Sequence, residues 1–519
     1  MIHFFIKSII FLQIIGCVNS NVYNNSDFDL KTQEYKQQAV GGPTQLSVNI
    51  GNEILKSGGN AMDTILAMQA AIGLSEMHAS GLGGGGYILY FDKKNGKIIA
   101  FDGRETAPKN ATQQNVFGSS GKDETKYRSE FGSQYIATPG ILKVMKLAHK
   151  QFGSIEWEDI FKPTIEAAQN GFILENRLSI FYDKYKKELP DVANSIKIDK
   201  KIAKNIDLAK TLKIIANDTH DEFYNGELGN KIVDKVQKSG GLLTKKDLVG
   251  YKAFQSDASC VGYKDYKICT RKGNFAILSA IKMLEKEDFS NIKTGDDAIF
   301  INKIANAVNI AIANKRKYDQ DIYQNVDDIV HKIANNDNKA TGTTAFFAID
   351  KQGNIAIIGS SVNGYFGSGV VAEGLVMNNT MLDFSDCVNC TNEIKSGARP
   401  SSSISPIIVL DKNNNPVFGV SSAGGIRILS YVTSTLMQMI ELGIDPQEAI
   451  NSIKYSLHNN GTIMFEPRCD DKLKNDLEKF GHRIIVSDEV ISGLIAFKID
   501  KNSIKTGYET RRWGQSSGI

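Results

Sequence analysis

Thr343 and Thr344 stand where the composition of the chain changes sharply. In KATGTTAFFAID, residues 339–350, three threonines surround one glycine immediately before an apolar, strand-like run, while HKIANNDNKA before it is polar. A threonine hydroxyl is a poor nucleophile without an adjacent base. One solution is a threonine at a chain terminus, whose own α-amine accepts the proton. A free α-amine titrates near ~7.7–8.0, so much of it is neutral at physiological pH. An internal Thr343 gains that amine only if the Gly342–Thr343 bond breaks. The hydroxyl would attack the preceding carbonyl, an ester would form, and water would release the new terminus. Gly342 leaves room for the strained geometry, and the loop before it can move away after cutting. A loop ending in a β-strand is the plainer reading, and these residues alone do not choose between the two.

Other chemistry-bearing patterns are weaker. GLGGGG, 81–86, contains G-x-G-x-x-G at Gly81, Gly83 and Gly86. A dinucleotide site needs a strand, then glycines, then a helix. Here a helix comes first and a strand follows, which points to close backbone approach instead. GQSSG, 514–518, matches the nucleophile elbow G-x-S-x-G, but only Ile519 follows it, too little for the helix an elbow requires. The histidines are scattered and H-E-x-x-H is absent, so neither a metal nor another cofactor is expected.

Positioning Thr343 requires elements on both sides of it. PTQLSVNIGNEILKSGGNAMDTILAMQAAIGLSEM, 43–77, reads as two amphipathic helices broken at Gly58–Gly59. GLGGGGYILYFD and KIIAFDGRETAP each supply a strand, the second closed by Pro108. SIEWEDIFKPTIEAAQNGF reads as a helix stopped by Gly171, and Thr244-x-x-Asp247 as a capping-box start. From 252 to 340 the pattern is mostly helical; after Thr343 come strands and turns, with a helix from about 427 to 443. Early helix–strand layers and a strand-rich second half predict an α/β sandwich with helices outside.

Apolar residues make up 41% of the 519, and 61 Lys and Arg against 58 Asp and Glu leave a net charge of +3. This composition suits a soluble globular protein and gives no case for a nucleic-acid partner. MIHFFIKSIIFLQIIGCVNSN has Lys7, a short apolar stretch interrupted by Ser8 and Gln13, and small residues at Val18 and Ser20. That is the pattern of a secretory signal cut after Ser20, shorter than the ~20 residues of a spanning helix. The expected location is secreted or extracellular; the alternative is a cell surface or endomembrane lumen, with the segment kept as an anchor. Cys17 leaves with the signal. Of Cys260, Cys269, Cys387, Cys390 and Cys469, the first two could close across a hairpin and the next two could form a short loop. Sequons at Asn110, Asn217 and Asn460 suit the same compartment.

The stretches are more specific together. GGNAMD, GLGGGG, FDGRETAP, TTAFFAID, VNGYFGSG, MNNTMLDFS, RPSSSISP, SSAGGIRI and YETRRWGQSSG follow one another in the chain. In this order they resemble the γ-glutamyltransferase (γ-glutamyl transpeptidase) family of N-terminal nucleophile hydrolases, nearly end to end after the signal. The resemblance implies an αββα four-layer sandwich. After loss of the signal, 1–20, a large subunit (21–342) and a small subunit (343–519) would stay entwined as one catalytic domain. The cleavage site would be Gly342–Thr343, with Thr343 as nucleophile. Arg104 is implied to bind the α-carboxylate of a γ-glutamyl donor, helped by Ser402 and Ser403. Asn363 and Asp383 would hold the α-amino end, Ser361 would keep a hydroxyl near the nucleophile, and the N–H groups of Gly424 and Gly425 would form the oxyanion hole. A guanidinium fork does pair bidentately with a carboxylate, and consecutive glycines let main-chain N–H groups approach a developing oxyanion.

The expected activity is that of a self-processing γ-glutamyltransferase and hydrolase acting on glutathione and related compounds. A γ-glutamyl ester on Thr343 would pass to water or to an amino acid or dipeptide acceptor. Partners would be these small molecules, the chain's own two fragments as a heterodimer, and a membrane only if the signal is retained. Some residues depart from the family pattern. Ala345 and Phe347 replace a His and a Ser, Gly359 replaces a polar strand residue, and Thr380 replaces a Gln or Glu. TRKGNFAILSA stands in place of a proline-rich segment, and a GDPDF-like segment before the cut is missing. Donor recognition is expected to be left intact, and acceptor preference and maturation rate are the properties these departures bear on. Two alternatives remain: a secreted chain of the same fold that binds γ-glutamyl ligands without turnover, or a related amidase with another acyl donor.

Overall fold

The computed structural model describes residues 30–118, 130–218, 220–321, 342–387, 389–457, 462–487 and 489–519. Residues 1–20, expected to be a signal, Asn460 and the polar stretch 323–341 lie outside them. The run after Gly342 shows no polar alternation, as expected of a strand buried on both faces. It forms the strand Gly342–Ile349 of a seven-stranded antiparallel sheet. Its neighbours are Ala39–Gly42 on one side and Ile355–Asn363 on the other, followed by Gly85–Asp92 and Lys97–Gly103.

Side chains two apart share a face of a strand. Ala345, Phe347 and Ile349 pack with Leu89, Phe91, Ile355 and Ile357 against Ile408, Leu410, Ile495 and Phe497. These last four belong to a second seven-stranded antiparallel sheet, which includes Ile407–Leu410, Pro416–Ser421 and Ile495–Asp500. Phe346 and Ala348 face the other way, into a core built with the helices Gln45–Lys56, Ala61–Ser75 and Ile141–Phe152. The outer face of the second sheet is covered by Phe275–Leu284, Ala298–Asp321 and Ile428–Glu441. The layers are therefore α, β, β and α, the expected four-layer sandwich. Ala345 and Phe347 belong to its inter-sheet core.

Local signals mostly hold. The Lys162–Asn170 helix stops at Gly171 with φ 116°, and Thr244 with Asp247 makes a capping box. The helix Ala61–Ser75 departs from the amphipathic expectation: it is buried on nearly every side, because other helices and the first sheet enclose it. The segment after 252 also departs from expectation, beginning with three strands, Phe254–Asp257, Ser259–Tyr263 and Tyr266–Thr270, before any helix. Aromatic and β-branched residues flank a two-residue turn in which Lys264 takes φ 51°, a hairpin signal stronger than the helical pattern further on. Cys260 and Cys269 are register partners across that hairpin and form a disulfide; Cys387 and Cys390 form another. Among the described residues no helix is long and apolar enough to cross a membrane.

Candidate active site

The strand Gly342–Ile349 enters its sheet irregularly. Gly342 pairs with Asn363 and Thr343 with Ser361, with a register shift between Gly342 and Thr343. The period of two places Thr343 on the inter-sheet face, above Ala345, and Thr344 on the helix face. Thr343 is only 4% exposed. Its Oγ1 donates to Ser361 Oγ at 3.3 Å. Ser361 in turn donates a short hydrogen bond to the carbonyl oxygen of Gly342 and accepts from Asn363 N at 2.8 Å. The hydroxyl best placed to polarise the Gly342 carbonyl is thus held by the residue across the ladder. A side chain at 342 would press on Ala79 Cα at 2.9 Å and His78 O at 3.0 Å, so glycine is required there. Asn363, at φ 75°, donates through Nδ2 to Asn379 O at 3.3 Å.

Arg104 follows the strand Lys97–Gly103 and is buried, 2% exposed. Its guanidinium donates to Glu105 Oε2 at 3.1 Å, to Ser401 O at 3.1 Å and, through a short bond, to Asp383. Burial opposes its charge, but Glu105 and Asp383 outweigh that and hold its pKa above the ordinary value. Burial also pushes the Glu105 carboxyl up, against the pull of Arg104. Thr380 is turned toward this pair, its Oγ1 donating to Glu105 Oε1 at 2.8 Å. Ser402 and Ser403, which follow Ser401 in the chain, are half-buried. Their segment is fixed from behind by Arg271, which donates to Ser402 O at 2.6 Å and to Ile404 O at 2.8 Å while lying over the Tyr87 ring. Asn392 ties both walls together, donating to Asp383 O at 2.7 Å and accepting from Ser401 N at 2.8 Å.

Gly424 and Gly425 have φ 129° and 59° and lead into the helix Ile428–Glu441. Only glycine adopts both readily. Their link to Thr343 is indirect: a Cβ on Gly493 would meet Ala423 Cβ at 2.7 Å and Arg512 Nη1 at 2.5 Å, and Arg512 donates to Thr343 O at 3.3 Å. The GLGGGG run serves close approach, as its sequence context suggests. Gly83 and Gly84 abut the carbonyls of Val376 and Ser361 too closely for any Cβ. GQSSG instead supplies an edge strand, Gln515–Gly518.

Sequence reasoning missed Glu76, Glu105, Arg271, Asn392 and Arg512. Arg512 lies within a motif already singled out, but no spacing rule links it to Glu76. Gly359 is constrained as well, since a Cβ there would collide with Ile404 Cγ2. A serine at this position is expected to displace the Ser402–Ser403 segment and destabilise the fold by about 1–3 kcal/mol, read as a lower urea midpoint of Gly359→Ser with an unchanged slope.

Comparison with known proteins agrees with this architecture. The family model described as Gamma-glutamyltranspeptidase matches residues 47–339 and 324–519. The glutathione hydrolase proenzyme of Escherichia coli is 30% identical over 473 residues, covering 81% of both chains. That of Bacillus subtilis is 26% identical over 548 residues, covering 94% of this chain and 93% of the relative. The crystal structure of a cephalosporin acylase from Bacillus halodurans shares the fold, with TM-score 0.83 at 23% identity over 94% of this chain and 97% of that one. The chain belongs to the gamma-glutamyltranspeptidase family of enzymes.

Proposed function

We propose that the chain cuts itself between Gly342 and Thr343 and then hydrolyses or transfers γ-glutamyl groups, with glutathione and related compounds as donors. The observation that carries this reading is the hydrogen-bonded series Thr343 Oγ1, Ser361 Oγ, Gly342 O at a register shift. In the cut, Thr343 Oγ attacks the Gly342 carbonyl carbon, the C–N bond breaks, and an ester joins the two. Water hydrolyses that ester, leaving a Gly342 carboxylate and a free Thr343 α-amine. Fragments 21–342 and 343–519 remain associated, since the strand Gly342–Ile349 is paired on both sides with segments of the larger fragment or of its own neighbour.

A γ-glutamyl donor carries an α-carboxylate and an α-ammonium on one carbon. Opening the Arg104–Asp383 pair would give each charge a partner of opposite sign, Arg104 for the carboxylate and Asp383, 31% exposed on its side chain, for the ammonium. Ser402 and Ser403 would help Arg104 hold the carboxylate, and Asn363 would help Asp383 hold the ammonium. Thr343 Oγ attacks the γ-amide carbon, its proton passes to the α-amine, and the Gly424 and Gly425 N–H groups receive the oxyanion. The amine then protonates the leaving group. Water or an acceptor amine repeats the sequence on the ester. The two disulfides support a secreted setting.

Hydrolysis of a chromogenic γ-glutamyl anilide by the purified cut protein tests this activity. A cut protein without turnover would favour the binding-only alternative, and turnover of another acyl donor alone would favour the amidase. Ser361→Ala is expected to slow conversion of the single chain into two fragments by about 10²-fold, the effect of removing one donor from an oxyanion, and Ser361→Thr to restore it; a denaturing-gel time course reads both.

A further inference from the structure

Ionisable side chains from three distant parts of the chain meet behind Thr343. Glu76 caps the end of the helix Ala61–Ser75, His78 follows it, Arg177 lies on the helix Asn176–Tyr185, and Arg512 lies near the C-terminal strand. All are buried. Glu76 accepts from Thr344 Oγ1 at 2.5 Å and from Arg512 Nη2 at 3.3 Å. The same Arg512 nitrogen donates to the Thr343 carbonyl at 3.3 Å, and Nη1 is tied to Ile491 O at 3.1 Å. Arg177 Nε is 3.9 Å from Glu76 Oε1 and 3.3 Å from His78 Nε2. Burial, and then Arg177 and Arg512, hold the His78 pKa well below its usual value, so the ring is neutral. Both guanidiniums lie beside Glu76, and Glu175, whose carboxyl burial pushes up to about 7, is a second acid next to it, accepting from Gln45 N at 2.9 Å. The Arg512 charge adjoins the carbonyl of the residue that would carry the free amine.

We propose that this cluster sets both the position and the proton affinity of the nucleophile's α-amine: Arg512 fixes the Thr343 peptide and its charge keeps the amine neutral, while Glu76 limits that effect and anchors Thr344. The inference rests on cleavage before Thr343. A neighbouring positive charge and burial both disfavour an ammonium, so the amine should titrate about one unit below its ordinary ~7.7–8.0.

Glu175 reaches the amine only through Glu76, and the remaining charged groups on the packed elements are paired with one another. Ile355–Asn363 contributes Ser361 and Asn363. One strand further, Gly85 abuts Glu105, which is paired with Arg104 and Thr380, and Arg104 holds Asp383. Beyond Ser492, the carboxylates Glu466 and Glu509 face Arg511, and Lys454 is buried nearby. Arg512 is the charge in direct contact with the Thr343 peptide and therefore dominates.

Cyanate carbamylates only neutral amines, so the pH dependence of carbamylation at the small fragment's N-terminus, read by mass spectrometry of the N-terminal peptide, measures this pKa without requiring turnover. Three cut proteins are compared: wild type, Glu76→Gln and Arg512→Lys. The wild-type midpoint is expected below pH 7. Glu76→Gln removes the tempering charge with little change of shape and should lower the midpoint by a further 0.5–1 unit, roughly. Arg512→Lys keeps the charge and should stay within about 0.3 unit of wild type, and the acid limb of kcat/KM should move in parallel. A purely structural role would change rates while leaving these midpoints in place. A wild-type midpoint at the ordinary value, or an unchanged or raised midpoint in Glu76→Gln, would overturn the proposal. So would a folded Glu76→Gln protein that stays uncut, because Glu76 would then act before the amine exists. A small fragment that does not start at Thr343 would overturn the cleavage reading itself, and this inference with it.

Discussion

Thr343→Ala is expected to accumulate as one uncut chain and to lose at least about 10⁴-fold of its γ-glutamyl hydrolase activity, as when a covalent nucleophile is removed. Both losses have one origin, since the hydroxyl that attacks Gly342 is the hydroxyl that attacks the donor. The fold should survive. The strand remains paired on both sides, its core residues Phe346, Phe347 and Ile349 stay in place, and alanine gives up the 3.3 Å hydrogen bond to Ser361. Near-UV circular dichroism with a native signature, on a protein that is inactive and uncut, checks that the effect is chemical. Thr343→Ser keeps a hydroxyl but loses the methyl that restrains it; it should cut and turn over slowly. An uncut Thr343→Ala protein with wild-type turnover would place the nucleophile elsewhere.

Arg104→Lys is expected to leave self-cutting intact and to raise KM for a γ-glutamyl anilide about 100-fold, equivalent to about 2.7 kcal/mol. Lysine keeps the charge but cannot engage Glu105, Asp383 and Ser401 O through a rigid fork, as Arg104 does. Arg104→Ala is harsher. It leaves Glu105 buried beside Asp383 without a cation, and removing one partner of a buried pair costs about 3–5 kcal/mol, so thermal stability should fall along with activity. The comparison separates recognition from folding: in the lysine variant KM should change much more than the melting temperature. Equal KM values for wild type and Arg104→Lys would remove Arg104 from the donor site.

A sandwich with helices outside was legible because its cause is local, while the αββα order of four layers came from the family resemblance. The unbroken apolar run after Thr343 marks a strand covered on both faces, and the glycine run before Tyr87 marks a strand that neighbours approach closely. The period of two also accounts for Ala345 and Phe347. They replace polar residues of the family pattern and lie in the core between the sheets, with Thr343 above them on the same face. Between 254 and 270 only the hairpin joining Cys260 and Cys269 was suggested, and the rest was obscured by the longer helical pattern beyond it. Pairings between distant segments were illegible for a different reason. Glu76 and Arg512 are 436 residues apart, and neither has a local signature, since each is chosen by a partner that only the folded sheet supplies. The direct pairing of Arg104 with Asp383 is of the same kind: the family resemblance assigned each a separate role, and the fold joins them.

N-terminal sequencing and intact-mass measurement of the mature, active wild-type protein test the central claim most directly. The account predicts two chains that stay together under native conditions and separate when denatured, the smaller beginning Thr343-Thr344-Ala345-Phe346. An active protein in which the Gly342–Thr343 bond is intact, or a smaller chain beginning at Thr344, would contradict it.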